Sequence, residues 1–174
     1  VKLAKNQGME NFIMSLNQSE TIYKKNFPIP FEEYIPSWFL HVFQYQDDSK
    51  SQGNTGKIKA GFIKLADKKG MLAICYDLLF SRLFVQNDYN FIVIISDLNW
   101  NTTLWLERMM FNIARARALE HDVPVIMSSN NGISGLIQAS GAFTKIRSLT
   151  PSLLDGKIYV SSHSSIYNSY PYLT

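Results

Sequence analysis

Two uninterrupted apolar runs, Met71–Tyr76 and Phe91–Ser96, set the tightest limit on what this chain can fold into. Each has the length of a strand, and neither alternates with polar residues, so both faces of each must be covered. Covering them takes helices, and two are predicted where they are needed. Asp77–Val85 follows the first run directly. The second spans about Thr103 to His121, with Leu106, Met109, Met110 and Ile113 at i, i+3, i+4 and i+7 as a stripe facing a sheet. Asn101, Thr102 and Thr103 offer N-caps, and Pro124 bars continuation. Asn11–Leu16 and Thr21–Lys24, separated by turn residues, predict a hairpin. Ile58–Leu65, Val123–Ser128, Gly135–Gln138, Phe143–Arg147 and Lys157–Ser161 are further strand candidates. Strands alternating with helices predict α/β layers. Gln46–Gly56 and the Ser-rich Ser161–Ser169 are expected to be irregular.

At 174 residues the chain suits one compact domain, 1–174, with a substantial core. With 46% hydrophobic and 18% charged residues it has the composition of a folded soluble protein. The net charge of +3 comes from scattered lysines, not from the clustered stripe that nucleic-acid binding needs. No apolar run approaches the ~18 residues that cross a bilayer. The start, Val1-Lys2-Leu3, carries neither an initiator Met nor a signal pattern and reads as a fragment boundary, so any membrane anchor is expected elsewhere in a parent protein. One cysteine rules out an internal disulfide. His41, His121 and His163 lack metal-ligand spacing, so no metal and no cofactor is expected.

Three segments carry residues suited to chemistry. In Met71-Leu-Ala-Ile-Cys75-Tyr-Asp-Leu-Leu-Phe80 the lone cysteine ends a buried strand where a helix is predicted to begin. A helix N-terminus there would favour the thiolate, and its free N–H groups would stabilise an oxyanion. The alternative is a small core residue. In Tyr23-Lys-Lys25-Asn-Phe-Pro-Ile-Pro30-Phe-Glu-Glu33-Tyr-Ile-Pro36 three prolines stiffen a loop able to aim a lysine and a carboxylate at one point. The alternative is a solvated Lys-Lys pair before an ordinary loop. In Ser128-Ser-Asn-Asn-Gly132-Ile-Ser-Gly135 the Asn-Gly pair marks a tight turn. Gly132-Ile-Ser-Gly135 is one residue short of a serine-hydrolase elbow and is rejected as one.

Together, and in this order, these segments resemble the nitrilase (carbon–nitrogen hydrolase) superfamily, most closely the nitrilase-like domain of bacterial apolipoprotein N-acyltransferases, from about Asn11 to Gly141. That family has Lys, four residues, then Pro-Phe-Gly-Glu-Tyr-x-Pro; here Lys25 is followed by Pro30-Phe-Glu-Glu33-Tyr-Ile-Pro36. Its strand ending Ile-Cys-Tyr-Glu matches Ile74-Cys75-Tyr76-Asp77. Its Ser-Asn-Asp-x-Trp-Phe is met in part by Ser96-Asp-Leu-Asn-Trp100-Asn. Its Arg-Ala-x-Glu and Asn-Asn-Gly-Ile-Ser stand intact as Arg117-Ala-Leu-Glu120 and Asn130-Asn131-Gly-Ile-Ser134.

The resemblance implies an α-β-β-α sandwich and a Glu-Lys-Cys triad. Cys75 would take an acyl group from a phospholipid as a thioester and pass it to the N-terminal amine of a lipoprotein. Lys25 and the Tyr76 N–H would stabilise the oxyanion, and Glu33 would orient the lysine, with Lys24 its rival. Asp77, Trp100 and Asn131 would lie near the substrate. The parent would sit in the bacterial inner membrane with this domain on the periplasmic face. Trp38, Phe39, Leu40, Val42 and Phe43 would offer an apolar cluster to lipid.

Four departures stand out. The family's general-base glutamate lies well upstream of the lysine, whereas only 24 residues precede Lys25 and neither Glu10 nor Glu20 can substitute. Asp77 shortens the family's glutamate, Glu32 replaces a glycine, and Asp97-Leu98 replaces Asn-Asp. The chain alone is therefore expected to be inactive, with a sheet edge open to self-association. Two other readings remain: an amide-cleaving carbon–nitrogen hydrolase or conjugal-transfer relative, and a degenerate, non-catalytic module.

Overall fold

The computed structural model describes residues 11–15, 20–36, 38, 39, 42, 58–85, 88–99, 103–148, 150–160, 165 and 167, and the chain forms two compact units, residues 1–59 and 60–174.

In the first unit β1 (Phe12–Ser15) and β2 (Glu20–Lys24) pair antiparallel, with Phe12 opposite Lys24 and an irregularity between Ile13 and Met14. The ladder is extended by the Lys25 N–H, which donates to the Asn11 carbonyl at 2.9 Å. The proline-rich segment then doubles back on itself. The Phe31 N–H reaches the Tyr34 carbonyl at 2.7 Å and the Glu33 N–H reaches the Ile29 carbonyl at 2.9 Å. Phe31 takes a left-handed φ of 65° to close this turn. Asn26 ties the segment to Lys59, accepting its N–H at 2.8 Å and donating to its carbonyl at 3.0 Å.

The second unit is built on a six-stranded sheet whose strands lie in chain order: β3 (Gly61–Leu65), β4 (Lys68–Ile74), β5 (Phe91–Asp97), β6 (Val125–Asn130), β7 (Ile133–Ile137) and β8 (Phe143–Arg147). Only β4–β5 and β5–β6 are parallel; the flanking pairs are antiparallel. The two apolar runs are these central strands, and Met71, Leu72, Ala73, Ile92 and Ile94 are at most 1% exposed. Helix α1 (Leu104–His121) covers one face. It ends at Asp122, whose left-handed φ of 52° closes the last turn through its N–H to the Ala118 carbonyl.

Sequence and structure part company in three places. No α-helix follows Cys75. The chain instead makes two short 3-10 turns, Cys75–Leu79 and Ser81–Leu83, because Phe80 is extended at φ −99° and ψ 97° and interrupts them. The buried stripe of α1 is Met110, Phe111, Ala114, Ala118 and His121, rotated from the predicted one, while Leu106, Met109 and Ile113 are half-buried. The rotation also buries Glu107 and Arg117, each of which finds ionic partners. Residues 157–160 form no strand: the Gln138 side chain donates to the Lys157 carbonyl at 2.8 Å and accepts the Tyr159 N–H at 3.1 Å, in place of a ladder. The Gln46–Gly56 loop, Trp100, Leu40, Phe43, His41 and His163 lie outside the described residues.

Gly70 sits beneath its register partner Phe91, and a Cβ there would come within 2.2 Å of the ring. Gly70→Ala should therefore lower stability by about 1–3 kcal/mol in chemical denaturation. Phe91→Leu in the same molecule should return part of that loss. An additive double variant would mean that the clash is not the cause.

Candidate active site

In an open sheet, ligands gather beyond the carboxyl ends of parallel strands. Here those ends belong to β4, β5 and β6, and register lines up Ile74, Ile95 and Ser128 as neighbours. Cys75 follows the first. Asp97 and Leu98 end the second, and Asn130 and Asn131 end the third. Three of the segments singled out in the sequence thus meet along one edge of the second unit.

Cys75 is 7% exposed and holds a left-handed φ of 47°, uncommon for a residue with a Cβ. The turn beneath it is pinned from several sides. The Asp77 carboxylate, fully buried, accepts the Ile74 N–H at 3.1 Å, and the Phe80 N–H donates to the Asp77 carbonyl at 3.1 Å. Arg117, 7% exposed, reaches across from α1: its Nε donates to the Leu78 carbonyl at 3.1 Å and a terminal nitrogen to the Leu79 carbonyl at 3.1 Å. Its other terminal nitrogen pairs with Glu120. The Arg-Ala-Leu-Glu segment is therefore the clamp that joins helix and cysteine turn. Tyr76 stacks edge-to-face on Phe80 at 5.4 Å. A five-residue 3-10 turn begins at the cysteine itself, so the helix N-terminus expected there is not formed.

At the next strand ends, Asp97 Oδ1 accepts the Asn99 N–H at 3.0 Å and the Asn130 side-chain amide at 3.5 Å. Leu98 is buried, and its N–H donates to the Asn130 carbonyl at 3.1 Å. The Asp-Leu departure thus yields a closed turn and an apolar plug. Asn131 adopts φ 53°, and a Cβ on Gly132 would meet Ser129 Oγ at 2.4 Å, which explains the Asn-Gly pair. Ser134 Oγ accepts the Ser129 N–H at 3.0 Å and straps the turn.

In the first unit, Lys25 is buried and its Nζ contacts both oxygens of Glu33, at 2.8 and 2.6 Å. The same carboxylate accepts the Ile29 N–H at 2.6 Å and the Asn11 side-chain amide. One carboxylate thus gathers the start of β1, the lysine and the proline loop. Lys24 faces outward on β2, and Glu32 is exposed, so its added charge stays out of the lysine's surroundings. Phe31, Trp38 and Phe39 form an edge-to-face trio with centroids 5.3–6.2 Å apart; Phe31 is 51% and Trp38 60% exposed.

Two supports went unread in the sequence. Glu107, 3% exposed, is held by Arg147 through bonds of 2.7 and 3.0 Å, which fasten edge strand β8 to α1 and raise the arginine's pKa. His121 is buried among the rings of Phe84, Tyr89 and Tyr167 at 5.3–6.1 Å. Burial pushes the Tyr89 phenol above the usual tyrosine range, and its O–H donates to the Phe84 carbonyl at 3.0 Å. No spacing rule reveals such long-range pairs. Among the described residues no three His, Cys, Asp or Glu side chains converge as a metal site.

A parallel-centred sheet backed by a helix, with a cysteine at a central strand's carboxyl end, is the arrangement of nitrilase-like folds. Residues 10–170 match the carbon–nitrogen hydrolase family, and the chain belongs to that family. It is 31% identical over 130 residues to an apolipoprotein N-acyltransferase of Borreliella burgdorferi, and 30% identical over 128 residues to one of Rickettsia typhi. Each alignment covers 71% of this chain, which spans about a quarter (25%) of each relative's length. A solved CN-hydrolase superfamily protein of Xanthomonas campestris shares the fold at a TM-score of 0.52 and 14% identity, over 79% of this chain and 57% of that one. A Nesterenkonia amidase shares it at 0.50 and 14%, over 79% and 50%.

Two measurements check the Arg117 clamp and the Lys25–Glu33 pair. Alkylation reads one thiol, since the chain has a single cysteine. Arg117→Ala should raise the rate at which iodoacetamide labels Cys75 by about tenfold, the effect of a stabilising contribution of roughly 1.4 kcal/mol from two buried hydrogen bonds. An unchanged rate would show that the clamp does not hold the turn. Glu33→Ala strands a buried ammonium and should cost about 3–5 kcal/mol in unfolding experiments, whereas Lys24→Ala should cost less than about 0.5 kcal/mol.

Proposed function

We propose that this chain carries the nucleophile and the lysine–glutamate pair of a cysteine-dependent acyltransferase, which moves a fatty acyl group from a phospholipid to the N-terminal amine of a lipoprotein. The observation that carries the reading is the buried Lys25 held by both oxygens of Glu33 within a proline-stiffened loop. A lysine placed this way has little use as a surface charge and much as a fixed cation beside a developing oxyanion. Cys75, at the carboxyl edge of the sheet, supplies the attacking sulfur.

In this reading the chemistry runs in two halves, acylation of Cys75 and transfer to the amine. The sulfur attacks the ester carbonyl while a general base takes its proton. The oxyanion is held by Lys25 and the Tyr76 N–H. The C–O bond then breaks, and the departing alkoxide receives the proton. The lipoprotein amine next attacks the thioester, the C–N bond forms, and the C–S bond breaks to restore the thiol. Trp100 and Asn131 are assigned to the substrate's surroundings, and Asp77 to holding the turn. The Phe31–Trp38–Phe39 trio, with Phe31 and Trp38 exposed, suits contact with acyl chains at the membrane surface, on the periplasmic face of the bacterial inner membrane. Among the described residues no helix is long and apolar enough to cross a membrane.

The test uses the protein as its gene encodes it. Incubation with phospholipid vesicles should yield an acylated Cys75 by mass spectrometry, and Cys75→Ala should abolish both adduct and transfer. Lys25→Met should slow acylation by about 10²–10⁴-fold, the range of lost oxyanion and proton-transfer assistance. Ammonia release from simple amides without acylation by phospholipid would favour an amidase instead. No adduct under either condition would leave a non-catalytic module.

A further inference from the structure

At the carboxyl end of β6 lies a cleft of about 580 Å³, lined by residues of the second unit. Its walls include Ser128, Asn130 and Asn131 from the end of β6, and Ser148, Thr150 and Ser152 from the segment after β8. Its described lining is mainly hydroxyl and amide groups, with Ile146 and Pro151 the apolar side chains, and has no charged side chain and no aromatic ring. The volume falls in the range of ligand pockets. We propose that this cleft holds the polypeptide backbone of the acyl acceptor, downstream of its reacting amine, an assignment that rests on the acyltransferase reading.

The lining chooses among the possible occupants. An acyl chain would find apolar partners only in Ile146 and Pro151 and would leave most of the hydroxyls and side-chain amides without partners. A phosphate headgroup calls for lysine or arginine, and the lining offers neither. Peptide groups need donors and acceptors in alternation; serine and threonine hydroxyls and asparagine amides supply both from each side chain. The two walls also belong to different segments, so a chain threaded between them is gripped from both sides.

Spacing agrees with that use. Ser128 lies in the same cross-strand row as Ile74, two strands away, and Cys75 directly follows Ile74. At about 4.8 Å per strand the cleft begins roughly 10 Å from the nucleophile's strand. An extended peptide advances about 3.3 Å per residue. The first two or three residues of an acceptor therefore bridge that gap, and later ones enter the cleft.

The experiment compares two synthetic lipopeptide acceptors with free N-terminal amines, one of two residues and one of six, on the intact polypeptide containing this chain. Thioester formation on Cys75 from phospholipid vesicles is measured first in the unsubstituted protein; its failure overturns the acyltransferase reading and, with it, this assignment. With the thioester in hand, the six-residue acceptor should show a KM about tenfold lower than the two-residue one, as one or two added hydrogen bonds give. Ser128→Val and, separately, Thr150→Val should each shrink that ratio toward one; both positions are exposed, so folding is not at stake. Equal KM values for the two lengths, or a ratio unmoved by either substitution, overturns the proposal. So does competition by a neutral oligosaccharide such as cellohexaose without competition by the unlipidated hexapeptide, which would assign the cleft to carbohydrate.

Discussion

Parallel pairing of β4 with β5 and of β5 with β6 governs what the second unit can present. Three strands that run the same way must end on the same side. Every residue that leaves those ends is therefore delivered to one edge. Cys75, the Asp97–Asn99 turn and the Asn130–Gly132 turn are neighbours for that reason alone, although more than fifty residues separate the first from the last. An antiparallel centre would have sent the middle segment to the opposite edge.

The edge is useful only if its turns keep their shape, and much of the polar burial serves that end. A left-handed cysteine is not a conformation the chain adopts without support. Asp77 from within the turn and Arg117 from α1 hold the backbone around it, with the guanidinium meeting two successive carbonyls that a 3-10 turn leaves unpaired. A charge buried in this way is tolerated because its donors are matched by acceptors, Glu120 among them. Glu107 and Arg147 repeat the device at the other end of α1, fastening β8. In the first unit the Glu33 carboxylate has the same part: it draws Asn11, Lys25 and Ile29 together and gives the proline loop its form.

How far the sequence could be read depended on the range of each interaction. Apolar runs located β4 and β5, and local pattern located β1, β2, β6, β7, β8 and α1 to within a few residues, because strand pleat and helical turn act between near neighbours. The reading failed after Cys75, where a helix was expected. Apolar content alone cannot say that Phe80 will be extended. It failed again on the buried face of α1, since the deciding partners of Glu107 and Arg117 come from Arg147 and from the carbonyls of Leu78 and Leu79, some forty residues away. Lys157–Ser161 looked like a strand because nothing local announces that a glutamine side chain will occupy the ladder.

By itself the sequence determined the family, the strand that carries the cysteine and the spacing that sets Lys25 ahead of Glu33, all of which are matters of order along the chain. Only the tertiary structure decided that Lys25, not Lys24, is the buried amine, that the cysteine's turn is a clamped 3-10 turn, and that serines and asparagines from two distant segments share an uncharged cleft. Burial and pairing are settled by what the rest of the fold brings near, and a one-dimensional pattern holds no record of it.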